Sequence, residues 1–112
     1  MRKPTDNELF ELNRCECVRA AHGHGIDYSS VRGRVRAHLL RNHWVTHVAT
    51  HDTHRLEITP AGERVVRMYH TVALTCSFCD WSMGCYVAKR GVTKVLKRKC
   101  RTCDYHNELT VG

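Results

Sequence analysis

Cys76-Ser77-Phe78-Cys79 and Cys100-Arg101-Thr102-Cys103 stand 20 residues apart in the last third of the chain. Two Cys-x-x-Cys pairs at this spacing read as the four ligands of one structural zinc. Thiolates are soft, anionic ligands suited to a tetrahedral ion, and a two-residue gap lets one tight turn aim both sulfurs at one point. The second pair closes the tetrahedron and leaves the residues between free to form a hairpin. Buried thiols or disulfides are the plainer alternative, and a redox dithiol a third. A redox site normally uses one such pair beside a βαβ pattern, not two around a Lys/Arg-rich hairpin.

Residues 74–112 make a 39-residue segment, too short to bury a sufficient core alone, so a metal there is expected to be a folding requirement. The remaining residues, 1–73, have the size of one small domain. Seven cysteines without any signal-like apolar run point to a reducing compartment, and cytoplasmic is the expected location. No stretch is apolar for long enough to span a bilayer. The formal charge is +7 and the pI about 9.3, which favours an anionic partner, nucleic acid before membrane. Residues 1–73 hold 11 Lys/Arg against 8 Asp/Glu, and residues 74–112 hold 7 against 3. No internal repeat and no low-complexity tract stands out.

Taken in order, Thr5-Asp6-Asn7-Glu8 fits a capping box and opens a helix over residues 6–21, or two short ones. His22-Gly23-His24-Gly25 ends it. A second helix is expected over residues 30–43, capped by Ser29 or Ser30, with Val31, Val35 and Leu39 as its apolar stripe. At 100° per residue Gly33, Arg34, Ala37, His38 and Arg41 share the opposite side, with Arg32 and Arg36 on a flank. Trp44 to Ala49 and Arg55 to Ile58 read as a hairpin around His51-Asp52-Thr53-His54. Thr59-Pro60 then starts a helix through Tyr69, reaching towards Val72. Trp81 to Lys89 and Val92 to Lys99 are expected as strands around Arg90-Gly91, with Tyr105 to Val111 a third. A short helix is an alternative over Val92 to Lys99.

The order helix, Arg-rich helix, hairpin, Thr-Pro helix resembles a winged helix-turn-helix domain. Leu39-Leu40-Arg41-Asn42-His43-Trp44-Val45 is similar to the exit from a recognition helix into the wing, with His43 where such domains often carry Gly. Leu56-Glu57-Ile58-Thr59-Pro60-Ala61-Gly62-Glu63 resembles the segment after the wing in regulators of the multiple-antibiotic-resistance and phenolic-acid repressor kinds. Residues 74–112 resemble a zinc ribbon. The fold class expected is therefore α+β: a winged helix-turn-helix over residues 1–73, then a four-cysteine zinc ribbon with a hairpin or three-stranded sheet. The resemblance implies that residues 30–43 enter the major groove of double-stranded DNA. Arg34 would make a bidentate contact to guanine with His38 and Arg41 beside it, and Ser29 and Ser30 would donate to phosphate. Arg55, with His51 and His54, would reach the backbone or minor groove. Lys89, Arg90, Lys94, Lys97, Arg98, Lys99 and Arg101 would add phosphate attraction.

The plainer reading of the arginine helix is a solvated face, or one that binds carboxylates of another protein. The basic run of the ribbon is read plainly as solubility. Cys15, Cys17, His22 and His24 invite a second metal, but residues two apart on a helix point about 200° from each other. Buried cysteines and a polar turn are the simpler account, and Cys85 is a strand residue without a role. Four cysteines leave no open coordination position, and no nucleophile–base pattern or phosphate-cradling loop occurs, so the chain is read as a non-enzyme. A DNA-binding regulator is the leading expectation. The alternative is an interaction module that docks on RNA polymerase or another nucleic-acid machine, such as a phage-encoded inhibitor, without reading DNA.

Overall fold

Thr5 starts the first helix, α1 (Asp6–His22), as the capping box predicts: its hydroxyl accepts the Glu8 N–H, and the Glu8 carboxylate accepts the Thr5 N–H. The helix runs unbroken to Gly23, whose left-handed φ of 76° and N–H to the Arg19 carbonyl close it. Leu9, Leu12 and Cys15 form its buried face. This computed structural model describes residues 2–112. The chain is α+β, with three α-helices and small antiparallel sheets. Two units divide between Met68 and Tyr69.

In the first unit α1 is followed by β1 (Ile26–Asp27), a 3-10 turn (Tyr28–Ser30), α2 (Gly33–Arg41), β2 (Val45–Ala49), β3 (His54–Ile58) and α3 (Pro60–Met68). The sheet order is β1-β3-β2, all antiparallel. Leu56 on the central strand is fully buried, as are Leu9, Leu12, Leu39 and Val65 from the three helices. One core therefore sits between the sheet and all three helices. The expected hairpin is β2–β3, in register from Val45 opposite Ile58 to Ala49 opposite His54.

Two helix ends differ from the sequence reading. The second helix starts at Gly33, not residue 30, because Val31 is extended and buried and Arg32 takes the N-cap position without a side-chain cap. Ser29 and Ser30 lie in the 3-10 turn instead, where the Ser30 hydroxyl donates to the Asp27 carbonyl and accepts from Arg14. The third helix stops at Met68, and Tyr69 to Thr75 form a strand. Tyr69-His70-Thr71-Val72 is rich in aromatic and β-branched residues, a composition that suits a pleated surface better than a helix. The boundary expected after residue 73 thus falls inside that strand.

Departure of His43 from Gly carries a backbone signature. Its φ is 58°, in the left-handed region where Gly rests without strain and other residues are uncommon. The Thr59 hydroxyl donates to the His43 carbonyl and accepts the Gly62 N–H, so the turn and the start of α3 are tied together.

The second unit holds β4 (Tyr69–Thr75), β5 (Ser82–Lys89), β6 (Lys94–Lys99) and β7 (His106–Val111). They form two separate two-stranded ladders, β4–β5 and β6–β7. The expected pairing around Arg90-Gly91 and the three-stranded sheet do not occur. Strand β4, whose first residues the sequence reading gave to the end of the preceding helix, supplies the partner that β5 uses, and residues 90–93 connect the ladders. The core is small: Leu74, Ala88, Leu96 and Val111 are buried, with Val72, Met83, Tyr86 and Leu109 packed against them.

Candidate metal centre and basic helix face

Each ladder ends in a turn that carries one cysteine pair. Cys76 and Cys79 lie between β4 and β5, and Cys100 and Cys103 between β6 and β7. The two turns repeat each other bond for bond. Cys76 N–H donates to the Trp81 carbonyl at 2.9 Å and Asp80 N–H to the Cys76 carbonyl at 3.0 Å; Cys100 N–H donates to Tyr105 at 2.9 Å and Asp104 N–H to Cys100 at 3.0 Å. Asp80 and Asp104 share a left-handed φ of 61°, a conformation that aspartate tolerates better than most residues. The sequence signal is Cys-x-x-Cys-Asp-aromatic at 76–81 and again at 100–105. This short internal repeat escaped the sequence reading because the residues inside each pair differ.

The repeat brings four sulfurs together. Cys76 Sγ is 3.6 Å from Cys103 Sγ, Cys79 Sγ is 3.7 Å from Cys100 Sγ, and all four lie within 4.8 Å of one another. A disulfide needs about 2.05 Å, so these are not disulfides. A tetrahedron with metal–sulfur bonds of about 2.3 Å has edges of about 3.8 Å, which the two measured pairs fit. Among the described residues this is the one cluster with metal-ligand geometry. A four-thiolate set suits zinc, and iron takes the same arrangement.

Electrostatics divide each pair. Burial pushes the Cys76 thiol up, but the amides of Cys79, Asn107 and Phe78 outweigh it and hold it down to about 6. The Cys103 amide likewise lowers Cys100 despite burial. The Tyr105 amide pulls Cys103 down, yet burial and the neighbouring sulfurs push it up to about 12. Cys79 is also raised: the Trp81 amide lowers it, but burial and the sulfurs of Cys100 and Cys76 prevail. The first cysteine of each pair is thus shifted towards the thiolate and the second away from it.

Asn107 on β7 is the supporting residue that the sequence reading missed. It is buried, accepts the Ser77 N–H and hydroxyl at 2.9 Å each, and donates to Cys76 Sγ at 3.5 Å and the Tyr105 carbonyl at 3.2 Å. One side chain on the second ladder therefore fixes the turn of the first. Groups that orient ligands in this way typically account for about 10–100-fold in metal affinity. Asn107→Ala is expected to weaken metal binding by about that factor in a chelator competition. Unchanged affinity would assign Asn107 to packing alone.

In the first unit, Gly33, Arg34, Ala37 and Arg41 are exposed on α2, as the helical wheel predicts. Arg32 is also exposed. Two residues expected beside them are turned to other tasks. His38 Nδ1 faces the Glu8 carboxylate of α1 at 3.2 Å. Arg36 donates to the Tyr28 and Val31 carbonyls, and its guanidinium lies 4.0 Å from the Tyr28 ring centroid. Glu8 itself is buried, and both its carboxylate oxygens accept from Arg2 Nη2. Burial pushes its pKa up, but Arg2, the Thr5 amide and His38 outweigh that and hold it below the ordinary value. Arg55 is half-buried on the central strand, opposite Val48 and Asp27, one pair in from Ala49–His54 at the hairpin end. At the hairpin, His47 stacks on Tyr28 at 4.2 Å and its Nε2 is 3.0 Å from His54 Nδ1.

The Cys15, Cys17, His22 and His24 group does not assemble as a metal site. Cys15 is fully buried with Sγ towards the Leu56 carbonyl, and burial pushes its thiol up to about 11; Cys17 is exposed. His22 and His24 merely stack, 5.7 Å apart. Lys94 and Lys97 are exposed on β6, with Lys94 5.9 Å from the Tyr86 ring. No helix among the described residues is long and apolar enough to cross a membrane. Comparison with protein-family models, with curated proteins and with solved structures finds no match.

Proposed function

We propose that this chain is a small DNA-binding transcriptional regulator of the cytoplasm, with a winged-helix first unit and a structural zinc ribbon as the second. The observation that carries the reading is the outward row Arg34, Ala37 and Arg41 on α2. Two long cations flanking a small residue form a face that can approach a groove closely. Support comes from the β1-β3-β2 order, with a two-stranded hairpin directly after that helix. The 3-10 turn Tyr28–Ser30 occupies the place where a separate second helix would stand. Arg34 and Arg41 are the base-reading candidates, Arg32 and the 50–53 hairpin tip the flanking phosphate contacts. His38 and Arg36 then act by holding α2 to the rest of the unit.

Four cysteines favour zinc held for structure, with no open position for a substrate. The chain is accordingly proposed as a non-enzyme. Selection from a random duplex pool, followed by titration of the enriched site, tests the reading. Arg34→Ala and Arg41→Ala should each cost about 1–3 kcal/mol in binding, and wild-type affinity should fall steeply with salt. No duplex binding at low salt would overturn it.

The rival reading, docking on RNA polymerase or another protein of the nucleic-acid machinery, is favoured by one feature. Phe10 is 65% exposed on α1 and lines a depression with Asn7, Glu11, Val31 and Val35. Co-purification with such a protein, abolished by Phe10→Asp, in a chain that ignores duplex DNA would establish it.

A further inference from the structure

Phe78, Trp81 and Tyr105 present large aromatic rings to solvent beside the cysteine turns, 72%, 43% and 45% exposed. In a unit with so small a central apolar cluster, this much ring surface left outside calls for an explanation. Phe78 and Tyr105 come from different turns, yet their rings stack, with centroids 5.5 Å apart and planes 19° from parallel. A stacked pair has already aligned its ring faces, and a third flat ring can extend it.

Cations lie around these rings. Arg98 and Lys99 line one depression with Tyr105, and line another with Trp81 and Arg101. The same two residues thus border both Tyr105 and Trp81. Asp104 takes up part of this charge, 3.6 Å from Lys99, while Glu108 faces Lys97 across the ladder. Arg98 and Arg101 remain, and neither forms an ion pair with an acidic group among the described residues within 4 Å.

We infer that the second unit binds single-stranded nucleic acid, with bases stacked on Phe78–Tyr105 and on Trp81 and the phosphate chain running over Arg98, Lys99 and Arg101. A duplex keeps its base faces covered by neighbouring pairs, whereas an unpaired strand offers a flat face and a charge at every nucleotide. Rings flanked by cations match that repeat. An acidic protein would satisfy the cations but would leave the stacked rings unused. The surface lies wholly within Tyr69–Gly112 and does not rest on the reading of α2.

The test uses the full zinc-loaded chain and labelled oligo-dT and oligo-U of about a dozen nucleotides, within the usual range of single-strand site sizes. Both oligomers should bind, and more tightly than a blunt duplex binds in a chain carrying Arg34→Ala and Arg41→Ala. Phe78→Ala with Tyr105→Ala should weaken single-strand binding about tenfold or more, while Tyr105→Phe keeps it. Trp44 is buried and Trp81 exposed, so quenching of tryptophan emission by the oligomer should vanish in Trp81→Phe. If the double variant sheds zinc, Phe78→Leu with Tyr105→Leu replaces it under the same expectation. A wild-type chain that binds neither oligomer, or a zinc-retaining double variant that binds as tightly as wild type, overturns the inference. A preference between oligo-U and oligo-dT identifies the natural strand as RNA or DNA.

Discussion

Cys76→Ser or Cys100→Ser is expected to release the metal and unfold residues 69–112, while the first unit keeps its structure. The central apolar cluster of the second unit is small, Leu74, Ala88, Leu96 and Val111 with Val72, Met83, Tyr86 and Leu109 packed against it, and units of this size usually need a metal or another staple to fold. A structural zinc would contribute on the order of 10–16 kcal/mol at neutral pH, so losing one of four thiolates would remove a large share of the stability of this unit. Elemental analysis should give one zinc per wild-type chain and none in either variant. Hydrogen exchange should show the amides of β4 to β7 unprotected and those of α1 and β3 still slow. Zinc retained in both variants, or protected strands without it, would refute the ligand assignment.

Gly62→Ala is expected to destabilise the first unit, against the direction that helix propensity gives. Gly62 lies in α3 (Pro60–Met68), where alanine on its own would gain up to about 1 kcal/mol. A Cβ there would press into the Trp44 carbonyl and the Ile58 side chain. That carbonyl cannot swing aside cheaply, because it accepts the Thr59 N–H at 3.0 Å. Overpacking against backbone forces α3 away from the sheet, at a net cost of about 3 kcal/mol. Urea titration should move the midpoint down at unchanged slope. A midpoint that rises would mean that α3 has room to move and that Gly62 is there for another reason.

Local chemistry was legible where neighbouring residues decide it. The Thr5–Glu8 cap, the Gly23 stop, the β2–β3 hairpin and the Thr59-Pro60 start are each set within a few residues, and each appears as read. Sulfur clustering was legible because the spacing itself constrains geometry. Strand pairing in the second unit was not, since β4 looked like the tail of a helix and its partner could be chosen only by tertiary packing. The same limit applies to α2. The wheel placed Arg34 and Arg41 outward, but it could not know that His38 would meet a buried Glu8 thirty residues earlier, or that Arg36 would cap carbonyls of the preceding turn. Asn107 was invisible for the same reason: nothing around it in the chain marks a residue that serves a turn on the other ladder.

The bond-for-bond repetition of the two cysteine turns would bear on how a metal is gained and lost. Each turn is complete as a two-sulfur claw, so capture would proceed in two stages. The first claw would take the ion from solution, and the second, joined to it by the 20 residues that carry β5 and β6, would close at an effective concentration far above that of a free ligand. Dilution alone would then scarcely empty the site, because an ion dropped by one claw would be retaken before the other let go. The exit route would be a competing thiol or chelator that attacks the half-open state, and the off-rate should rise with its concentration.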